Sequence, residues 1–248
     1  QSTDFEKGLK AKEVEVRLAT VQTLVRDTDP RSEKLLVAAT RDEDWEVALR
    51  ATEGLGERKV KSATDALVKL ALDAPLRRIR TAAADALLLI APEEAASALV
   101  RKLGGGDVVP ALEALAIVLA GRDAKSDLSS VIKLSEKAKD SATRAAAADV
   151  LGGTGFKDRN RTIPKLLRRD EVRSVSAALD AARHSPRAAD LPMLLELIWR
   201  EKLDDCVERR ALAAARAAYL SDTPLDETKI LGSIGPLLAA KSPAVSAR

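Results

Sequence analysis

A step of 32 residues, repeated along almost the whole chain, limits what this protein can fold into more than any other feature. Val16, Val47, Ile79, Ala111, Thr143, Val175 and Val207 follow one another at an interval of 31 residues once and of 32 thereafter. Four residues further along stand Thr20, Ala51, Ala83, Leu115, Ala147, Leu179 and Ala211, most of them small. Eight along stand Leu24, Leu55, Leu87, Leu119 and Leu151, before the pattern decays to Arg183 and Ala215. Positions four and eight apart share one face of an α-helix. A small residue in the middle of that face lets a neighbouring helix come close, and the Leu at its end fills the space between layers.

A second ladder precedes the first. Leu35, Leu67, Leu99, Val131, Ile163 and Leu195 also step by 32, with Ala38, Leu70, Leu134, Leu166, Ile198 and Ile230 three beyond most steps and Lys102 as the exception. The spacing predicts first helices over 32–40, 63–72, 93–103, 127–138, 162–169 and 191–201. Asp29-Pro30, Ala74-Pro75, Ala91-Pro92, Gly104-Gly105-Gly106, Gly152-Gly153-Thr154-Gly155, Ser185-Pro186 and Thr223-Pro224 separate the elements. One helix-turn-helix unit of this length has no way to bury its own apolar face, whereas stacked units share a continuous core. The expected fold is all-α, a right-handed α-α superhelix of about seven 32-residue helical pairs with a terminal helix near Glu227 to Ala240. Residues 1–248 are expected to form a single domain, with a flexible joint at 104–106.

Composition agrees with helices. There are 45 Ala but only five aromatic residues, Phe5, Trp45, Phe156, Trp199 and Tyr219, so the core must come from Ala, Leu and Val. The formal charge is +3, from 41 basic and 38 acidic side chains, which implies no blanket attraction to nucleic acid or membrane. A lone Cys206 excludes an internal disulfide framework and a thiolate zinc cage, and a lone His184 excludes sites that need two imidazoles. The longest apolar runs, Ala86 to Ala91 and Ala114 to Ala120, are too short for membrane insertion. The chain opens at Gln1-Ser2 rather than at Met, which reads either as a defined fragment or as a product of leader removal. It leans toward an exported, periplasmic protein, with a cytoplasmic one left open.

The segment Asp44-Trp45-Glu46-Val47-Ala48-Leu49-Arg50-Ala51-Thr52-Glu53-Gly54-Leu55-Gly56 resembles the second helix of HEAT-like repeats of the short, phycobilisome-lyase type. Their pattern is an acid, two spacers, Val-Arg, a small residue and Leu-Gly. Asp140 to Gly152 is similar, with Thr143-Arg144, Ala147 and Leu151-Gly152. The acid recurs as Glu13, Asp44, Asp140 and Asp204, and the arginine as Arg17, Arg80 and Arg144. The resemblance implies a structural ladder of acid and arginine between adjacent units. The tetratricopeptide step of 34 and the ankyrin hallmarks are both missing.

Catalytic chemistry finds little to work with. His184 sits between Arg183 and Arg187, which disfavour its protonated form. Cys206 precedes Val207 at a helix start and reads as a small core residue. Asp204-Asp205 reads as an N-cap rather than half of a metal site. Neither glycine cluster carries the Lys-Ser/Thr of a phosphate loop, so both read as turns. The best polar concentration is Lys157 to Arg187, nine cations against four acids, with Arg159, Arg161, Lys165, Arg168, Arg169 and Arg173 as the candidate binding patch. Phe156 is the one aromatic near it, so the stacking that single-strand binders use is scarce. The reading is a non-catalytic protein- or peptide-binding scaffold acting through its concave face, with no cofactor and no metal. Its alternatives are a nucleic-acid binder using 157–187 and, behind it, a HEAT-like DNA glycosylase or bilin-lyase-type enzyme. The glycosylase reading lacks an aromatic cleft, since Trp45, Trp199 and Tyr219 lie in distant units.

Overall fold

The computed structural model describes residues 2–156, 158–168, 171–184, 186–199, 204–221 and 228. Among them fourteen α-helices form seven helix-turn-helix pairs. In chain order these are α1 (Ser2–Leu9) with α2 (Val14–Arg26), α3 (Pro30–Ala39) with α4 (Trp45–Glu57), α5 (Thr64–Asp73) with α6 (Arg77–Ile90), and α7 (Pro92–Arg101) with α8 (Val109–Val118). Then come α9 (Ser129–Lys137) with α10 (Ser141–Gly152), α11 (Arg159–Leu167) with α12 (Val172–His184), and α13 (Leu191–Ile198) with α14 (Asp205–Tyr219). The fold is the all-α solenoid that the period predicts. The terminal helix expected over 227–240 lies outside the described residues except for Thr228, as do Lys157, Arg169, Asp170 and Ile230.

Helix starts follow the chemistry of free amides. The Asp44 carboxylate accepts from the amides of Glu46 and Val47, Asp140 from Thr143 and Asp204 from Cys206, each satisfying a donor that the helix leaves unpaired. Asp29 caps α3, whose first residue is Pro30, where a missing N–H costs nothing. The caps of α6 and α8 are Leu76 and Val108, whose side chains make no capping bond, although the Asp107 carboxylate accepts from the Val109 amide at the start of α8.

One compact unit runs to Ala120 and takes in 125–127. Its second helices α2, α4, α6 and α8 pack each against the next, and its first helices pack against them as the other layer. Ala51 and Ala83 are 0% exposed, as are Leu24, Leu55, Leu87 and Leu99. Burying each such Leu is worth about 1.5–3 kcal/mol relative to leaving it in water. The close approach is set partly by glycine: a β-carbon at Gly56 would stand 3.0 Å from the Cα of Ala86 on α6. Gly104 to Gly106 lie inside this unit, in the connection from α7 to α8, and Gly106 has φ +77°.

Two registers differ from expectation. Val16 is 45% exposed, and α2 buries Arg17, Val21 and Leu24 instead. In α3 the buried residues are Ser32, Leu36 and Ala39 rather than Leu35 and Ala38. The short interval of 31 explains the second, since counting back by 31 from Leu67 reaches Leu36. A single missing residue turns a helical face by about 100°. Val16 already stands 31 before the buried Val47, and there α2 turns in Arg17, the counterpart of the equally buried Ala48.

A second compact unit comprises 121–124 and the described residues from Leu128 on. Here α10, α12 and α14 pack in sequence around Val131, Ala147, Leu151, Ile163, Leu179 and Ala211. In α13 it is Leu194, not Leu195, that is fully buried. The glycine cluster expected to be a turn contains a short extended piece. Thr154–Gly155 pairs in parallel with Arg122–Asp123, one repeat earlier in the chain. Gly121 N–H donates to Gly153 O and Ala124 N–H to Gly155 O. A β-carbon at Gly155 would meet the Asp123 carboxylate at 1.9 Å, so that exposed side chain would have to turn aside.

Candidate functional site

The feature most suited to recognition lies on the second helices of the first unit. Trp45 is the first residue of α4, two positions before the buried Val47, so the turn of the helix carries its ring off the core face. It is 43% exposed. The Arg78 guanidinium on α6 stands 5.3 Å from the ring centroid, within cation-π range. Because α4 and α6 meet through the small Ala51 and Ala83, their outer rows rise as two walls. Trp45, Glu46, Leu49 and Glu53 face Arg78, Thr81, Ala82 and Asp85 across a groove of about 720 Å³. A second, more apolar cavity of about 340 Å³, lined by Ala48, Leu70, Leu76 and Ile79, borders Trp45 as well.

The charges of this groove are unevenly matched. Arg77 pairs with Glu113 at 3.1 Å, and Arg50 holds Glu57 at 2.6 Å and Glu53 at 3.5 Å. Desolvation pushes the Asp85 carboxyl above its ordinary value, and Asp85 makes no ion pair with a described residue. The sequence reading passed over Trp45 as a site. Its signal was there: an aromatic out of phase with the core ladder, in a chain with two Trp.

The ladder residues have two distinct jobs in the structure. Arg17 donates through Nε to Asp42 at 2.9 Å and through Nη1 to the carbonyls of Ala11 and Lys12. Arg144 repeats the pattern, to Glu171 and to the carbonyls of Ala138 and Lys139. Arg80 donates to Ala74 O at 3.0 Å and lies 4.0 Å from Glu113. Each arginine thus ties its own inter-helix turn to an acid of the next pair. Asp44, Asp140 and Asp204 are not those acids, being engaged as caps, and Glu13 is an N-cap position without a side-chain bond.

The candidate basic patch is largely neutralised by acids from neighbouring elements. Arg159 is buried, 6% exposed, and donates to Asp190 at 3.1 Å and to Ala181 O at 3.2 Å. Lys165 donates to Glu136 at 2.6 Å, and Arg173 to Asp149 at 3.0 Å. Arg161 and Arg168 are exposed and make no ion pair with a described residue, and Arg169 lies outside the described residues. Cys206, expected in the core, is exposed in the first turn of α14, where it lies against Arg210. His184 is the last residue of α12. Among the described residues no group of three or more His, Cys, Asp or Glu gathers as a metal would need. No helix among them is long and apolar enough to cross a membrane.

The family described as HEAT repeats matches residues 3–88. No curated protein matches the chain. Among solved structures, an archaeal HEAT-like repeats protein from Thermococcus onnurineus NA1 is similar at 15% identity and a TM-score of 0.54, over 93% of this chain and 98% of that one. The complex of CpcE and CpcF of phycocyanin lyase from Nostoc sp. PCC7120 is similar at 19% identity and a TM-score of 0.40, over 95% of this chain and 92% of that one. A designed armadillo repeat protein is similar at 16% identity and a TM-score of 0.34, over 88% of this chain and 100% of that one. The archaeal structure shares the fold.

Proposed function

We propose that this HEAT-like repeat protein acts as a non-catalytic scaffold that holds a protein or peptide segment against the second helices of its first compact unit. The observation that carries the reading is Trp45, a large aromatic side chain 43% exposed at the head of a groove in a chain otherwise poor in rings. Trp is among the residues that most often dominate binding energy when a partner covers it. The stack supports the reading too, because each pair contributes one row of side chains to a continuous surface. The acid and arginine ladder is on this view structural, and the chemistry belongs to the groove. For the nucleic-acid alternative the pairing of Arg159, Lys165 and Arg173 leaves little free charge.

Panning a displayed random peptide library against the full chain tests the reading. Enriched sequences are expected to compete with one another, to lose binding on Trp45→Ala and to tolerate the double change Arg161→Ala and Arg168→Ala. Enrichment that ignores Trp45 and depends on the arginine pair refutes it, as does tight duplex DNA binding near physiological salt.

A further inference from the structure

We propose that the Trp45 groove takes an arginine or lysine side chain from another polypeptide, its cation paired with Asp85 and its stem laid against Trp45 and Leu49. This inference rests on the scaffold reading and names the chemistry of its partner. The repeat itself supplies the argument. On α10, Asp149 occupies the register position that Asp85 occupies on α6, two steps of 32 earlier. Asp149 accepts a guanidinium from Arg173, 24 residues on, at the start of the next second helix. Counting 24 on from Asp85 reaches Val109, the first residue of α8. At the register position that supplies Asp149 with its cation, the pair of Asp85 therefore carries an aliphatic residue.

Asp85 is an exposed carboxylate whose pKa partial desolvation raises, and no described residue offers it a counter-charge. A cation brought in by a partner would supply the missing counter-charge through a charge-assisted hydrogen bond. The groove already holds one such group, since the guanidinium of Arg78, on α6 like Asp85, rests 5.3 Å from the Trp45 ring. Glu46, exposed beside Trp45, adds negative charge to the same groove. Leu49 and Ala82 between these poles suit the aliphatic stem of a long basic side chain or an apolar neighbour of it.

The test uses the full chain carrying Trp199→Phe, so that Trp45 is the one fluorescent indole, and four capped peptides in which Leu alternates with Arg, Lys, Glu or Gln. The Arg and Lys peptides are expected to change Trp45 emission saturably, and the Glu and Gln peptides to leave it unchanged. Asp85→Asn should weaken the Arg peptide about tenfold. Val109→Arg should do the same with Asp85 intact, because it builds into this pair the arginine that Arg173 supplies to Asp149. Asp149→Asn should have no effect, and Arg78→Ala should preserve or strengthen binding by freeing the ring. Circular dichroism of each variant confirms that it is folded. Undiminished binding in both Asp85→Asn and Val109→Arg overturns the inference. A Trp45 response to the Glu or Gln peptide overturns it while leaving the scaffold reading in place, which the panning experiment decides independently. No response to any of the four overturns it as well.

Discussion

Gly152→Ala puts the packing argument at risk, because helix propensity and tertiary contact predict opposite signs for it. Gly152 closes α10, and in a helix Ala is favoured over Gly by up to about 1 kcal/mol. The added β-carbon would stand 2.7 Å from Ala177 O, 3.1 Å from its Cα and 3.2 Å from its carbonyl carbon. All three are backbone atoms of α12, so no rotamer change relieves the contact. To restore ordinary separation the two helices must part by roughly 0.7 Å, in a layer where Ala147, Ala148, Val150 and Leu151 are 0% exposed. Overpacking of this kind costs about 1–3 kcal/mol, which offsets the propensity gain and leaves a net loss of up to about 2 kcal/mol. Gly105→Ala is the control. It has extended backbone and nothing within 4 Å of a β-carbon, so the same chemical change should stabilise by about 0.4–1 kcal/mol through the unfolded chain. Urea unfolding followed by far-UV circular dichroism measures both. If Gly152→Ala matches or exceeds the parent while Gly105→Ala weakens it, the close approach of α10 and α12 is refuted.

Ala83→Leu forces three heavy atoms into a site that is 0% exposed and should cost about 1–3 kcal/mol, whereas Thr81→Ala on the exposed side of the same helix should stay within about 0.5 kcal/mol, both read from urea midpoints. Asp44→Ala removes the acceptor for the Glu46 and Val47 amides and should cost about 1 kcal/mol. Leu76→Asp supplies α6 with the cap it lacks and should stabilise by about 0.5–1 kcal/mol, a gain that thermal melts would detect. The Asp140 carboxyl is held below its ordinary value by the Thr143 amide, and that of Glu57 by Arg50. Since the folded values lie below the unfolded ones, this stabilisation is complete above the unfolded carboxylate range and disappears as pH falls through the folded values. Urea midpoints should therefore drop below about pH 4, and midpoints flat down to about pH 3 would contradict the assignment.

The period was legible because it rests on burial, which the sequence records as apolar identity at a fixed phase. The phase alone was misjudged at three steps: Val16, Leu35 and Leu195 are apolar, and only the neighbouring helices decide that Arg17, Leu36 and Leu194 are the residues that turn inward. Leu-Gly at the ends of α4 and α10 read correctly as a motif, but its reason, the backbone of Ala86 or Ala177 lying over the glycine, belongs to tertiary structure. The groove was not legible at all. It arises where Trp45 and Asp85, 40 residues apart, come to line the same cleft, and no local pattern marks a cleft.

Charge is the property that local counting misjudges most in such a fold. Arg173 with Asp149, Arg17 with Asp42, Arg144 with Glu171, Lys165 with Glu136, Arg210 with Asp180 and Arg159 with Asp190 are separated by 24, 25, 27, 29, 30 and 31 residues respectively. Ion pairs in the stack therefore span about one repeat, and a window of one repeat such as 157–187 counts cations while leaving out the acids that meet them. Of the described patch residues only Arg161 and Arg168 remain exposed without an ion pair. Two free cations give a log-log salt slope of about −1.8 on duplex DNA, equivalent to roughly a tenfold loss of affinity for a fourfold rise in salt. Glu136→Gln with Asp149→Asn releases Lys165 and Arg173, and should steepen that slope by about two and tighten binding at low salt. Fluorescence anisotropy with a labelled duplex measures both forms. A parent slope as steep as about −5, unchanged in the double variant, would mean that these cations are already free to meet phosphate and that the pairing does not hold in solution.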